Sequence, residues 1–126
     1  MGQGYLIDTN AVIEYLDNKL PAKASTLIDK NGSQISVITR MELLGWQQAT
    51  QAQIKVLHQF INASAIFNLE ESVILKTIDI RRKYRVKLAD AIIASTALVY
   101  NLVLVTRNTE DFKKIKGLHL LNPWEK

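Results

Sequence analysis

Residues 87–106, KLADAIIASTALVYNLVLVT, join a helical pattern that is apolar nearly all round to a strand that is apolar throughout. Such a helix is typical of a buried layer, and a strand without polar alternation is typical of a parallel sheet covered on both faces. Apolar strands alternate with helices through the rest of the chain as well. We therefore predict an α/β protein with a central, mainly parallel sheet.

The hydrophobic pattern and the turn residues give the predicted order of elements. Strands are predicted at 5–7, 34–38, 65–69, 102–106 and 118–121, and helices at 11–16, from Pro21 to 31, at 39–62 with a break near Thr50, at 70–85 and at 88–101. The Asn31-Gly32 pair supplies the left-handed residue that ends the second helix. A chain of 126 residues fits one core, so we expect a single domain over residues 1–126.

The composition excludes several kinds of chemistry. The chain has no cysteine, which removes disulfides, thiolate nucleophiles and cysteine zinc sites. Sixteen basic and twelve acidic residues give a net charge of +4, which modestly favours polyanionic partners. No apolar run approaches the roughly 18 residues of a membrane span, and we expect a cytoplasmic protein without a membrane partner. His58 and His119 lack the spacing of metal ligands or of an acid–base pair, so we expect structural roles for both.

Four acids follow the predicted strands or begin the predicted helices. Asp8 closes the first strand, Glu42 lies in the opening turn of the helix after residues 34–38, and Asp111 follows the fourth strand. Asp90 shares a helical face with Ala94 and Ala97, whose small side chains would leave space beside its carboxylate. In open parallel sheets the ligand crevice lies outside the carboxyl ends of the strands. Converging carboxylates repel one another unless a cation lies among them, and such oxygen ligands suit Mg²⁺ or Mn²⁺.

Each of these acids also has a structural interpretation. Residues 39–42 match a capping box in which Glu42 only satisfies backbone donors, and residues 68–71 have the same form. Asp90 and Asp111 lie near helix N-termini, where the helix dipole favours negative charge by roughly 0.3–1 kcal/mol. Both interpretations stay open at the level of the residues alone.

Four segments make the sequence resemble a known family. LIDTNAVIEYL (6–16), ISVITRMELLGW (35–46), KLADAIIASTALVYN (87–101) and LVTRNTEDFKKIKGLHLLNPW (104–124) resemble, in order and spacing, the PIN domain of VapC-type toxins from bacterial toxin–antitoxin pairs. The resemblance implies a three-layer α/β/α fold and endoribonuclease activity that depends on one or two Mg²⁺ or Mn²⁺ ions. It also implies a homodimer that is neutralised by a VapB-like antitoxin.

The acidic residues of the family carry over onto Asp8, Glu42, Asp90 and Asp111 as metal-binding and catalytic residues. Many PIN domains have their fourth acid two residues after the threonine that ends the fourth strand, where this chain has Asn108, whereas the toxin subgroup often has it before the Phe, as in Asp111-Phe112. We expect Thr106 to fix a neighbouring carboxylate and Asn10 to orient a carboxylate by a hydrogen bond. Asn108 would bind a metal through its side-chain carbonyl or orient a metal-bound water.

Basic residues near these positions are candidate contacts to RNA. Residues 81–87, RRKYRVK, hold five cations just before the helix that carries Asp90. They are either a solvated helix end or a guide for the RNA backbone. The candidate RNA contacts are Arg40, Arg81, Arg82, Lys87 and Arg107.

Other functions are compatible with parts of the pattern. A haloacid-dehalogenase-like phosphotransferase also has an Asp after its first strand, but it needs a second Asp where this chain has Asn10. A receiver domain needs paired acids at the end of the first strand, which this chain lacks. Both functions are therefore disfavoured. A non-toxin PIN nuclease in RNA processing, or a PIN-like module that binds RNA or protein without cutting, remains an alternative. Apolar residues at 43, 44 and 46, or at 73, 74 and 78, would contact a partner or belong to the core.

Overall fold

A computed structural model describes residues 3–125. Its elements in chain order are β1 (Tyr5–Ile7), α1 (Thr9–Leu16), α2 (Ala22–Asn31), β2 (Gln34–Ser36), α3 (Val37–Leu44), α4 (Gln51–Asn62), β3 (Ala65–Phe67), α5 (Glu71–Lys83), α6 (Leu88–Val99), β4 (Val103–Val105), α7 (Thr109–Phe112) and β5 (Leu120–Leu121). The predicted alternation of strands and helices is confirmed, with most ends differing by one or two residues. Helix α7 was not predicted, because four residues are too few to show helical periodicity.

The strands pair in parallel. The strand β4 lies between β1 and β5, and β2 pairs with β3. The β2–β3 pair adjoins β1, where the Gln34 side-chain amide donates to the Tyr5 carbonyl at 3.3 Å. The predicted parallel arrangement is therefore confirmed. Strands β1 and β2 lie side by side without backbone strand pairing and are joined by the side-chain hydrogen bond of Gln34.

Alternate strand residues enter two separate cores. Ile7 and Val105 belong to a core that also contains side chains of α1 to α4, whereas Leu6 and Leu104 belong to a second core with side chains of α5, α6 and α7. Neighbouring residues of a strand point to opposite faces, so the sheet lies between these two helical layers. Residues 91–97 of α6 are all buried, as the apolar pattern of residues 87–101 indicated.

The segment from residue 34 to residue 62 shows how local hydrogen bonds set the element ends. Ser36 caps α3 by accepting from the Ile38 N–H at 3.1 Å, so the helix begins at Val37 and the predicted strand is two residues too long. The predicted break near Thr50 is confirmed, because Thr50 forms a reciprocal capping box with Gln53 at the start of α4.

The capping boxes predicted elsewhere are wrong. With Ser36 as the cap of α3, Glu42 is the sixth residue of that helix and is not at its start. Helix α5 begins at Glu71 after Glu70, with no side-chain cap, so residues 68–71 do not form the predicted box. The second helix ends as predicted, with Gly32 at φ +75°. Within residues 3–125 no helix is long and apolar enough to cross a membrane.

Candidate active site

Asp8 lies directly after β1 and is held from two sides. Its Oδ1 accepts from the Thr9 N–H at 2.8 Å, and its Oδ2 accepts from the Thr106 hydroxyl at 2.8 Å. The side chain is buried, and burial is the main reason why its pKa is raised above the ordinary value. The two hydrogen bonds oppose this rise, whereas the negative charge of Glu42 adds to it. Asp8 is therefore a carboxylate whose ionised form is kept by specific donors.

Thr106 reaches Asp8 because β1 and β4 are paired in register. Ile7 lies opposite Val105, and the Asp8 N–H donates to the Val105 carbonyl at 3.0 Å, which brings the following threonine beside Asp8. Thr106 is fully buried, and its hydroxyl also accepts from the Asn108 N–H at 3.0 Å. One hydroxyl thus joins the end of β1 to the loop that leads into α7.

Asp111 is oriented by Asn108, three residues before it. The Asn108 side-chain amide donates to Asp111 Oδ2 at 3.0 Å. The next residue, Phe112, is completely buried in the second core and fixes α7 against the sheet. Asn108 therefore orients the Asp111 carboxylate by donating a hydrogen bond from its side-chain amide.

Glu42 projects from the middle of α3 toward the start of α1. Its Oε1 accepts from the Thr9 hydroxyl at 2.6 Å, and that hydroxyl also lies 3.1 Å from the hydroxyl of the buried Thr39. Asn10 is exposed, and among the hydrogen bonds within residues 3–125 none joins its side chain to a carboxylate. The orienting contact that we expected of Asn10 is made by the neighbouring Thr9.

Asp90 lies in the first turn of α6, where burial and the negative charges of the other acids raise its pKa. Burial is the main cause of its raised pKa, followed by the negative charges of Asp8, Asp111 and Glu42, while Lys87 acts in the opposite direction. We refer to Asp8, Glu42, Asp90 and Asp111 as the four-acid site. Ala94 and Ala97 are buried in the second core, so they pack against its apolar side chains.

The four acids share one edge of the sheet without already forming a metal cage. In the part of the chain that the structure describes, no group of three or more His, Asp or Glu side chains is gathered closely enough to hold a metal ion. His58 and His119 are both exposed and lie outside the four-acid site. The donor set is accordingly one of carboxylates alone, with hydroxyl and amide groups as supports.

The candidate RNA contacts differ in their surroundings. Arg81 donates to the Val86 carbonyl at 3.0 Å, while Arg82 and Lys87 are exposed. Arg40 is exposed on α3 and lines a pocket of about 310 Å³ that also includes His58. Arg107 differs from these, because its Nη1 lies 3.3 Å from Glu14 Oε1 and its guanidinium lies 4.7 Å from the Trp124 ring centroid.

Sequence reasoning missed Thr9, Glu14 and Trp124. Glu14 lies four residues after Asn10 and thus on the same face of α1, which is the only sequence signal that could have indicated it. Thr9 and Trp124 make their contacts with residues distant in the chain, and nothing in their local pattern distinguishes them.

The fold and the site define an α/β protein whose acids collect beyond the carboxyl ends of parallel strands. The chain belongs to the PIN domain family, whose sequence profile matches residues 5–118. It is 30% identical to "Ribonuclease VapC" of Rickettsia bellii, over 94% of this chain and 95% of that protein. It is 31% identical to "Ribonuclease VapC1" of Methanocaldococcus jannaschii, over 91% and 83% of the two chains.

A solved structure supports the same assignment. The chain resembles the DNA-bound VapBC from Salmonella typhimurium with a TM-score of 0.83 and 26% identity, over 95% of this chain and 98% of that one. The predicted family and the predicted fold class are therefore confirmed.

Proposed function

We propose that this protein is a divalent-metal-dependent endoribonuclease and the toxin of a VapBC-type toxin–antitoxin pair. The observation that carries the proposal is the Asp8 carboxylate fixed by Thr106, together with the raised pKa of Asp90, which results from burial and from the negative charges of Asp8, Asp111 and Glu42. Similarity to proteins named ribonuclease VapC, and to a toxin–antitoxin complex, supports the same function.

The donor set fits a hard divalent cation. Carboxylate oxygens are the ligands that Mg²⁺ and Mn²⁺ prefer, and each Asp8 oxygen keeps a lone pair besides the one that accepts its hydrogen bond. Asp8 and Asp90 would hold one ion, and Asp111 would complete a second site. A bound ion would supply Lewis-acid chemistry and a more acidic water for hydrolysis of the phosphodiester.

The protein's own residues keep these groups in place. Thr106 and the Thr9 N–H stabilise the ionised form of Asp8, and the Asn108 amide fixes the direction of Asp111. Glu42 is exposed and accepts from Thr9 through one oxygen, so its other oxygen can take a proton from the attacking water. Glu42 is alternatively a third metal ligand.

The positive residues around the four-acid site would bind the RNA backbone. Arg81 and Arg82 lie in the last turn of α5, and Lys87 immediately precedes α6, which carries Asp90. Arg40 precedes Glu42 on α3. Contacts of this kind position a nucleic acid without reading its sequence.

The partners are proposed from the relatives. Among the apolar residues for which a partner contact and the core were the two alternatives, Leu43 and Val73 belong to the core, whereas Trp46 and Ile78 are exposed. Exposed apolar side chains of this kind suit an antitoxin or a second copy of the chain. We propose a cytoplasmic homodimer that is neutralised by a VapB-like antitoxin.

Cleavage of RNA by the purified protein tests the enzymatic part. We expect Mn²⁺-dependent cleavage that stops in EDTA, and a loss of at least about a hundredfold in Asp8→Asn and Asp90→Asn, because even indirect partners of a metal ligand contribute about 10- to 100-fold. Asp17→Asn, at the exposed end of α1, is the matched control and should cleave normally. Wild-type cleavage by Asp8→Asn would contradict the proposal, as would Mn²⁺ binding without cleavage.

The toxin role has a separate test. Induced expression should arrest growth, and co-expression of the small protein encoded next to this reading frame should restore it. Growth arrest that Asp8→Asn produces equally well would show that the four-acid site is not responsible.

A further inference from the structure

A pocket of mixed polar and apolar lining adjoins the four-acid site. Its volume is about 400 Å³, and it is lined by Asn10, Ile13, Glu14, Arg107 and Asn108. Asn10 follows Asp8 by two residues, and Asn108 donates to Asp111, so the pocket opens directly beside the acids. A nucleotide flanking the bond to be cut would fall at this position, and the volume is sufficient for one nucleobase.

Glu14 and Arg107 form an ion pair on the wall of this pocket, in which the Arg107 side chain is still 60% exposed. Glu14 Oε1 lies 3.3 Å from Arg107 Nη1, and the Trp124 ring centroid lies 4.7 Å from the guanidinium carbon of Arg107. The two charges offset each other, which weakens the attraction of the pocket for a phosphate. A pocket with an arginine donor and a carboxylate acceptor but little net charge suits an uncharged polar group such as a base.

Glu14 also carries an acceptor that is not used within the protein. Its Oε2 is buried and has no hydrogen-bond partner among residues 3–125. A buried acceptor left without a donor is costly, so this atom favours a ligand that donates a hydrogen bond. The terminal torsion of a glutamate is soft, which lets the carboxylate turn toward the pocket.

We propose that this pocket binds a guanine base of the RNA, with Glu14 accepting from its N1–H and N2 amine and Arg107 donating to its O6 or N7. Guanine is the base with two adjacent donors on one edge, which match a carboxylate, and arginine is its usual partner at O6 and N7. Trp124 is a positioning residue that holds Arg107. The inference rests on the proposed ribonuclease function and adds a base preference to it.

Sequencing the ends of cleaved RNA from a randomised pool tests the proposal. We expect guanosine to be enriched at one position next to the cut by wild-type protein and by the Asp17→Asn control. In Glu14→Gln the enrichment should fall at least about fivefold, because an amide cannot accept from both guanine donors. An enrichment that persists in Glu14→Gln would contradict the assignment to Glu14.

A substrate change tests the same contact without altering the protein. Replacing the enriched guanosine by inosine removes the N2 amine, and we expect kcat/KM to fall about tenfold, as for the loss of one hydrogen bond to a charged group. Inosine at another guanosine of the same oligonucleotide is the control. Equal effects at both positions would contradict the pocket.

Two further outcomes separate this inference from the proposed function. Cleavage without any base preference would contradict the guanine pocket and leave the ribonuclease function standing, whereas no cleavage of any RNA would contradict both. Arg107→Gln should leave the salt dependence of KM unchanged, because an arginine that contacts an uncharged base neutralises no phosphate and releases no counterion. A salt slope reduced by about 0.7 would show that Arg107 binds a phosphate instead and would overturn the proposal.

Discussion

Replacing Thr106 by Val tests how strongly one hydroxyl supports the four-acid site. The change keeps the shape of a fully buried side chain and removes the donor to Asp8 Oδ2 at 2.8 Å and the acceptor for the Asn108 N–H at 3.0 Å. A hydrogen bond to a charged group contributes about 1.5–3 kcal/mol and a neutral one about 1 kcal/mol, so we expect a loss of about 2.5–4 kcal/mol. For a domain of this size the Tm should fall by on the order of 10 °C.

The same change should alter the pH dependence in a defined direction. The Thr106 hydroxyl lowers the pKa of Asp8 against the effect of burial, so its removal raises that pKa further. The contribution of Thr106 to stability is therefore present above the Asp8 pKa and shrinks as the pH falls through it. The acidic limb of the pH–rate profile for cleavage should move to higher pH, because the ionised carboxylate is the form that binds a cation.

Thermal unfolding in EDTA and the pH–rate profile measure these two effects. Thr77→Val is the matched control, since Thr77 is also buried and its hydroxyl donates to the Val73 carbonyl of its own helix at 2.7 Å. We expect a loss of only about 1 kcal/mol there and an unchanged pH profile. If Thr106→Val matched Thr77→Val in both measurements, the argument that Thr106 keeps Asp8 ionised would be refuted.

Three further changes follow from the same geometry. The charged form of Asp90 is disfavoured by burial and by the other acids, so Asp90→Asn should raise the Tm at neutral pH in EDTA. This gain in Tm should shrink on acidification, because Asp90 then becomes protonated in the wild-type protein. A lower Tm at neutral pH would contradict the argument. Thr9→Val should reduce cleavage by about 10- to 100-fold by releasing Glu42, with a loss of stability of only about 0.5–1.5 kcal/mol, whereas unimpaired cleavage would exclude an orienting role. Replacing Arg81 and Arg82 by Gln should reduce the slope of log KM against log salt concentration by about 0.7 for each RNA phosphate that these arginines contact. Measuring KM between low and high salt gives this slope.

Lys55→Gln provides the control for the salt experiment, because Lys55 is an exposed lysine on α4. An unchanged slope in the arginine variants would show that Arg81 and Arg82 do not bind RNA phosphates and that residues 81–87 are only a solvated helix end.

The sequence was sufficient to predict every strand and every helix except the four-residue α7. Continuous apolar strands such as residues 102–106 require burial on both faces, and this requirement determines the parallel sheet between helical layers. The ends of the strands and helices were less certain where a side chain forms a hydrogen bond with the backbone. At Ser36 the hydroxyl accepts from the Ile38 N–H, so the last two residues of the predicted strand 34–38 form the first turn of α3.

The tertiary structure decided which side chains meet. Thr106 and Asp8 are 98 residues apart, and Arg107 and Glu14 are 93 residues apart, and each pairing depends on strand order and register. By itself the sequence determined which segments form strands and helices and which acids lie close to them in the chain, because burial and periodicity are local properties. The choice of Thr9 as the partner of Glu42, and the pairing of Glu14 with Arg107, arose only from packing, because hydrogen bonds between distant residues leave no periodic signal in the chain.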